Sequence, residues 1–292
     1  MRERFRREAR VAARLTHANI VPLHAFGDIE GELFFVMGFV DGETLAARLQ
    51  REGRIPQDDA LRILREVCDA LSLAHSSGVI HRDIKPENVL LEARTGRALL
   101  ADFGIAREGA ASAGLTGTGI VIGTPHYMSP EQAVSEGTVD HRADIYSVGV
   151  LGYRMLTGRL PFDGANVREI LAQQMVATPR DFAREHPEVS PQAVAAIMRC
   201  LEKDAALRWP DASQLRNAMS APSDSEDNAG SRRAIGDNRH GSLAHGRVQN
   251  GALGCAPPHQ RQRRVRSRHG DGLGGYQDRE ALAAIAVTAK RR

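Results

Sequence analysis

Lysine is nearly absent from this chain of 292 residues: Lys85, Lys203 and Lys290 are the only three, and arginine carries the other positive charge. Aromatic residues are scarce too, at 4%. A core must therefore be built mostly from Leu, Val, Ile and Ala. The three cysteines, Cys68, Cys200 and Cys255, are odd in number and far apart. That spacing excludes a CxxC metal pair and a disulfide framework, and it points to a reducing compartment. No apolar run approaches the roughly 20 residues of a membrane span. The longest near the end, "ALAAIAVTA" (residues 281–289), has nine. No signal peptide opens the chain, because "MRERFRREAR" is charged throughout. These absences make a cytoplasmic protein without a transmembrane segment the expectation.

What is present is unevenly distributed. Residues 1–220 hold 26 Lys and Arg against 29 Asp and Glu, whereas residues 221–292 hold 13 against 7. The formal charge of +3 thus comes from the tail. That tail has few large apolar residues and a basic run, "HQRQRRVRSRHG", so residues 221–292 are expected to be disordered, without a packed core. Its Arg-rich stretch lacks interleaved aromatics and any folded reader motif, so no specific nucleic-acid partner is expected.

Ahead of residue 221 the patterns are regular. Residues 2–15 read as a helix, with Phe5, Ala9, Ala12 and Ala13 on one face. "NIVPLHAFGD" and "ELFFVMGFV" read as two strands. A short helix follows Thr44, a candidate cap, and a long one follows Pro56, with a buried stripe of Leu61, Leu64, Val67, Cys68 and Leu71. Short apolar runs between residues 79 and 103 suggest paired strands, and residues 104–131 suggest a long functional loop. "ADIYSVGVLGYRML" is apolar nearly all round and reads as a buried helix, with further helices expected at 166–176, 191–202 and 211–219.

One short stretch concentrates chemistry. "VIHRDIKPENVLL" (residues 79–91) sets Asp83, Lys85 and Asn88 between two apolar ends, and Asp102 follows in "ADFG". Phosphoryl transfer is mostly positioning and charge stabilisation. It needs oxygen ligands for a divalent metal, a base to orient the attacking hydroxyl, and a cation for the charge on the transferred group. These four side chains are of the required types.

"HRDIKPEN", then "ADFG", then "SPE" resembles the catalytic half of a eukaryotic-type serine/threonine protein kinase of bacterial flavour, over roughly residues 2–219. The resemblance implies an α+β, two-lobed fold with a truncated β lobe (residues 1–40), a mainly helical large lobe (41–220) and the basic tail (221–292). It implies Asp83 as the base, Lys85 on the γ-phosphate, and Asn88 and Asp102 on Mg²⁺. His81 and Phe103 would pack inside, and Leu90 would floor the adenine pocket of ATP. Met37 would be the gatekeeper, with Gly38 and Val40 offering backbone groups to adenine. Glu8 would be the helix glutamate that partners a strand lysine.

The same resemblance places Thr124 to bond Asp83 and Lys85, pairs Glu131 with Arg208, and sets Asp144 to hold the catalytic loop. Thr116 and Thr118 are candidate regulatory phosphorylation sites, since phosphate adds close to two negative charges that Arg82 could pair. "GTPHYMSPE" is a protein-substrate feature and argues against a small-molecule phosphotransferase.

The Gly-rich loop and the lysine strand of such kinases have no counterpart ahead of Glu8, since no Lys precedes Lys85 and no Gly precedes Gly27. The resemblance therefore implies a sheet with an unpaired edge and weak or no catalysis from these residues as written. The alternative is a catalytically dead kinase fragment that binds partner proteins.

Overall fold

The computed structural model describes residues 11, 13–29, 32–103, 125–134 and 139–220, and the backbone of Ala286–Val287. All of these lie in one compact unit, Met1–Ser223 with Ala283–Arg292. The expected helix at 2–15 falls almost wholly outside the described residues, as do Glu8, Thr116, Thr118 and Thr124.

Two small sheets frame the upper part of the fold. Strands β1 (Leu23–Ile29) and β2 (Glu32–Met37) pair antiparallel, with Leu23 opposite Met37 and Ile29 opposite Glu32. Their runs of Leu, Phe, Val and Ile favour extended backbone. A second sheet joins β3 (Gly42–Thr44), β4 (Val89–Glu92) and β5 (Ala98–Leu100) in that order, all antiparallel. A stitch links the two regions. Val21 donates its N–H to Leu100 O (3.0 Å), Leu100 donates to Asn19 O (2.8 Å), and Asn19 Nδ2 donates to Ala98 O (2.8 Å).

Helices make up the rest. Helix α1 (Leu45–Glu52) starts where Thr44 Oγ1 accepts from the Ala47 N–H at 3.1 Å, satisfying a donor that has no partner in the first turn. Pro56, expected in the first turn of the long helix, sits just before it, and α2 runs Gln57–Ser76. After the short α3 (Pro130–Val134) comes α4 (Arg142–Thr157). Three more follow: α5 (Val167–Val176), α6 (Pro191–Cys200) and α7 (Ala212–Ala218). Asn166, Ser190 and Asp211 cap their first turns with side-chain oxygens. Each such cap contributes about 1 kcal/mol.

Helix α4 is the axis of the core. Ile145, Tyr146, Val148, Val150, Leu151 and Met155 on it are fully buried, which explains a pattern apolar on every side. It approaches α6 closely because Gly149 and Gly152 carry no Cβ: one on Gly149 would lie 2.5 Å from Cys200 Cβ, and one on Gly152 would run into Ile197. Cys68 and Cys200 are buried in this core, and burial pushes both thiols up, away from the reactive thiolate.

A final strand, β6 (Ala286–Val287), lies antiparallel on β2, with Val287 opposite Val36 and Ala286 opposite Met37. The edge of β2 is therefore paired at these two positions, where the sequence led us to expect it bare. An apolar strand edge recruits whatever extended segment can reach it, and here a distant part of the same chain does so.

Candidate active site

The loop from His81 to Asn88 is held from below by one buried carboxylate. Asp144, fully buried at the start of α4, accepts the His81 N–H (Oδ2, 2.8 Å), the Arg82 N–H (Oδ1, 2.7 Å) and His75 Nε2 (Oδ2, 2.8 Å). A carboxylate is an acceptor only, so it suits a place where three donors converge. Arg82 adopts the left-handed backbone region at φ 64°. That conformation costs about 1–3 kcal/mol. It is fixed on both sides, since the Arg82 carbonyl also accepts from Gln132 Nε2 at 3.1 Å.

His81 welds this loop to the segment that leads from β5 to Asp102. Its Nε2 bonds Ala101 O at 2.9 Å, its Nδ1 accepts the Asp83 N–H at 3.3 Å, and its ring lies 4.7 Å from that of Phe103. Complete burial lowers its pKa, outweighing the attraction of Asp144, so the ring is neutral. A neutral imidazole with the proton on Nε2 supplies one donor and one acceptor, and these two bonds require that form.

Above this frame the polar tips meet. Lys85 Nζ donates to Asp83 Oδ2 at 3.0 Å, and Asn88 Nδ2 donates to the Asp83 carbonyl at 2.7 Å and to Oδ2 at 3.3 Å. The Asn88 carbonyl accepts the Ala101 N–H at 2.9 Å, next to Asp102. Asp102 itself is exposed and held at φ 54°, between two buried neighbours. With the Asn88 nitrogen committed, one amide oxygen and one carboxylate remain as hard oxygen donors, a set that fits Mg²⁺. Among the described residues no three His, Cys, Asp or Glu side chains gather as a metal cluster.

An apolar patch adjoins the polar one. Met37, Val40 and Leu90 pack around buried Val21, Leu99 and Ala101, so three residues expected at an adenine pocket share one cluster. Gly38 follows Met37, and its N–H is taken by Pro22 O at 2.8 Å. Its carbonyl is the group it can offer a base. Sequence reasoning missed Val21, Gln132 and His75, because their contacts depend on chain segments that meet only in the fold.

Glu131 and Arg208 form a bidentate pair, Nη1 to Oε1 at 2.7 Å and Nη2 to Oε2 at 2.9 Å. Arg208 is 1% exposed and also donates to the carbonyls of Glu202, Lys203 and Arg142, so its donors are widely used. Burial pushes the Glu131 carboxyl up, but the Arg208 bonds prevail and hold it below the usual range.

Comparison with known proteins settles the family. Residues 1–219 match the model of the protein kinase domain. This chain belongs to the protein kinase family. Among its relatives, the serine/threonine-protein kinase Pkn2 of Myxococcus xanthus is 44% identical over 227 residues, covering 76% of this chain and 27% of that protein. The serine/threonine-protein kinase PknL of Mycobacterium tuberculosis is 36% identical over 273 residues, covering 92% of this chain and 68% of PknL. The chain thus spans about a quarter to two fifths of several curated kinases it matches, and about two thirds of PknL. The crystal structure of the Mycobacterium tuberculosis PknI kinase domain superposes with a TM-score of 0.61 at 30% identity, over 75% of this chain and 78% of that one. The α+β kinase fold expected from the sequence is the fold observed. No helix among the described residues is long and apolar enough to cross a membrane.

Proposed function

We propose that this kinase-family chain transfers the γ-phosphoryl group of ATP to serine or threonine hydroxyls of protein substrates in the cytoplasm. The observation that carries the proposal is the hydrogen-bonded set Asp83, Lys85 and Asn88, placed beside Asp102 and the apolar patch of Met37, Val40 and Leu90. In this reading Asp83 orients the substrate hydroxyl and accepts its proton. Its Oδ2 is fixed by two donors, so the carboxylate need not reorganise as the proton moves. Lys85 is a cation beside that carboxylate, available to the transferred group. Asn88 and Asp102 would hold Mg²⁺, which when bound neutralises charge on the nucleotide phosphates. Met37, Val40 and Leu90 would exclude water from the adenine ring, with the Gly38 carbonyl accepting from it.

The test is phosphate incorporation from labelled ATP into a generic basic protein, compared between this chain and its Asp83→Asn form. Loss of a base-and-orientation group lowers the rate by roughly 10²–10⁴-fold. Equal incorporation by the two would show that the signal is not this chain's own.

A further inference from the structure

The sheet β1–β2–β6 contains one strand that proximity in sequence does not explain. One edge of β2 is covered by β1 along its whole length, from Glu32 to Met37. Its other edge, "ELFFVM", meets Ala286–Val287, from a segment that follows the last large-lobe helix by more than sixty residues. We propose that the segment bearing Ala286–Val287 is the resident strand of this edge, docking within the same chain and fixing β2 where it runs into the nucleotide pocket.

Three observations carry this. The first is the pairing itself, antiparallel and in defined register. The second is composition. Within residues 221–292 the run "ALAAIAVTA" is the stretch suited to a strand, since Ile285, Val287 and Thr288 are β-branched and its alanines are small. Charged residues bracket it, Asp278, Arg279 and Glu280 before and Lys290, Arg291 and Arg292 after. Such brackets confine pairing to the run and discourage a second strand from adding on.

The third is position. Ala286 lies opposite Met37, the last residue of β2, and Met37 packs in the apolar cluster with Val40 and Leu90. Pairing at Val36 and Met37 therefore acts on a wall of the pocket. Tethering favours the same-chain strand over a second copy, because a linked segment is present at an effective concentration on the order of millimolar. At about 3.3 Å per extended residue, residues 221–285 have ample reach.

The coupling to nucleotide rests on the pocket assignment above, whereas the docking does not, and the experiment separates them. Two forms of the full chain are compared with the original: the double variant Ala286→Pro/Val287→Pro, which removes whichever of the two N–H groups faces β2, and a chain stopped after Glu280. Hydrogen exchange of the Val36 and Met37 amides reads docking without any turnover. Both forms are expected to exchange there at least tenfold faster, with α2 and α4 still protected, and a synthetic "ALAAIAVTA" peptide at millimolar concentration is expected to restore protection to the stopped chain. Affinity for a non-hydrolysable ATP analogue with Mg²⁺ is expected to fall at least threefold in both.

Unchanged exchange in both forms would overturn the docking. Protection that rises with protein concentration in the original chain would mean that a second copy donates the strand, which overturns the same-chain assignment. Faster exchange with unaltered analogue affinity would overturn the link to the pocket.

Discussion

Asp144 shows how much of this site depends on a residue that touches no reactant. Its two oxygens receive two loop N–H groups and one imidazole, so Asp144→Asn would set an NH₂ against at least one donor. We expect this variant to lose about 2–4 kcal/mol of stability and at least tenfold in phosphotransfer, read by thermal melting and by the labelled-ATP assay. His81 offers a pH test. Its folded pKa lies below the ordinary 6.5, so the unfolded chain takes up the proton first. Stability contributed by the neutral ring is present above about pH 6.5 and is lost as pH falls below it. Nitrogen-15 spectra of the imidazole should show a ring still neutral at pH 6.5, with Nε2 carrying the proton. At this scale the sequence was most informative where chemistry is local. Asp83, Lys85 and Asn88 fall within six positions, and their mutual bonds follow from one short turn. His75 and Gln132 were invisible because their partners lie 69 and 50 residues away.

The elements were legible in proportion to their length. The stripe on α2 and the all-round apolar pattern of α4 each run over several turns, and both helices form as expected, with Leu64, Val67, Cys68 and Leu71 buried and Leu61 packed at the core's edge. Strand β3 was not anticipated, because its three residues cannot display a period. Strand β6 was missed for a different reason: its three β-branched residues lie in an alanine-rich run without a clean alternation, inside a stretch whose composition reads as disordered, and its register is set by the edge it meets. The packing of α4 on α6 makes a sharp prediction. In Gly152→Val the new side chain would drive into Ile197 and Leu64, so the helices must part. Overpacking of this kind costs about 1–3 kcal/mol. Calorimetry should show a melting point lower by several degrees, with Gly152→Ala affected less.

For the molecule as a whole, the Glu131–Arg208 pair ties α3 to the segment around Arg208 and to the Arg142 carbonyl, joining three distant parts of the chain. Arg208→Ala leaves the partly exposed Glu131 carboxylate without its partner, and is expected to cost about 1–3 kcal/mol in denaturant titration. Glu131 has a folded pKa below its ordinary 4.5, so its contribution is fully present above that value and is lost as the solution is acidified through the folded pKa. In Glu131→Gln that acid-dependent loss should be absent. The connection between the two sheets has a mechanical consequence. Asn19 and Val21 are bonded to β5, while the Gly38 N–H is bonded back to Pro22 O, so the β1–β2 hairpin is clasped at its own base and its hydrogen-bonded tie to β5 lies just ahead of β1. Load placed on the hairpin is therefore handed to β5 through Asn19 and Val21, with the Pro22–Gly38 clasp keeping its two legs together at the point of transfer.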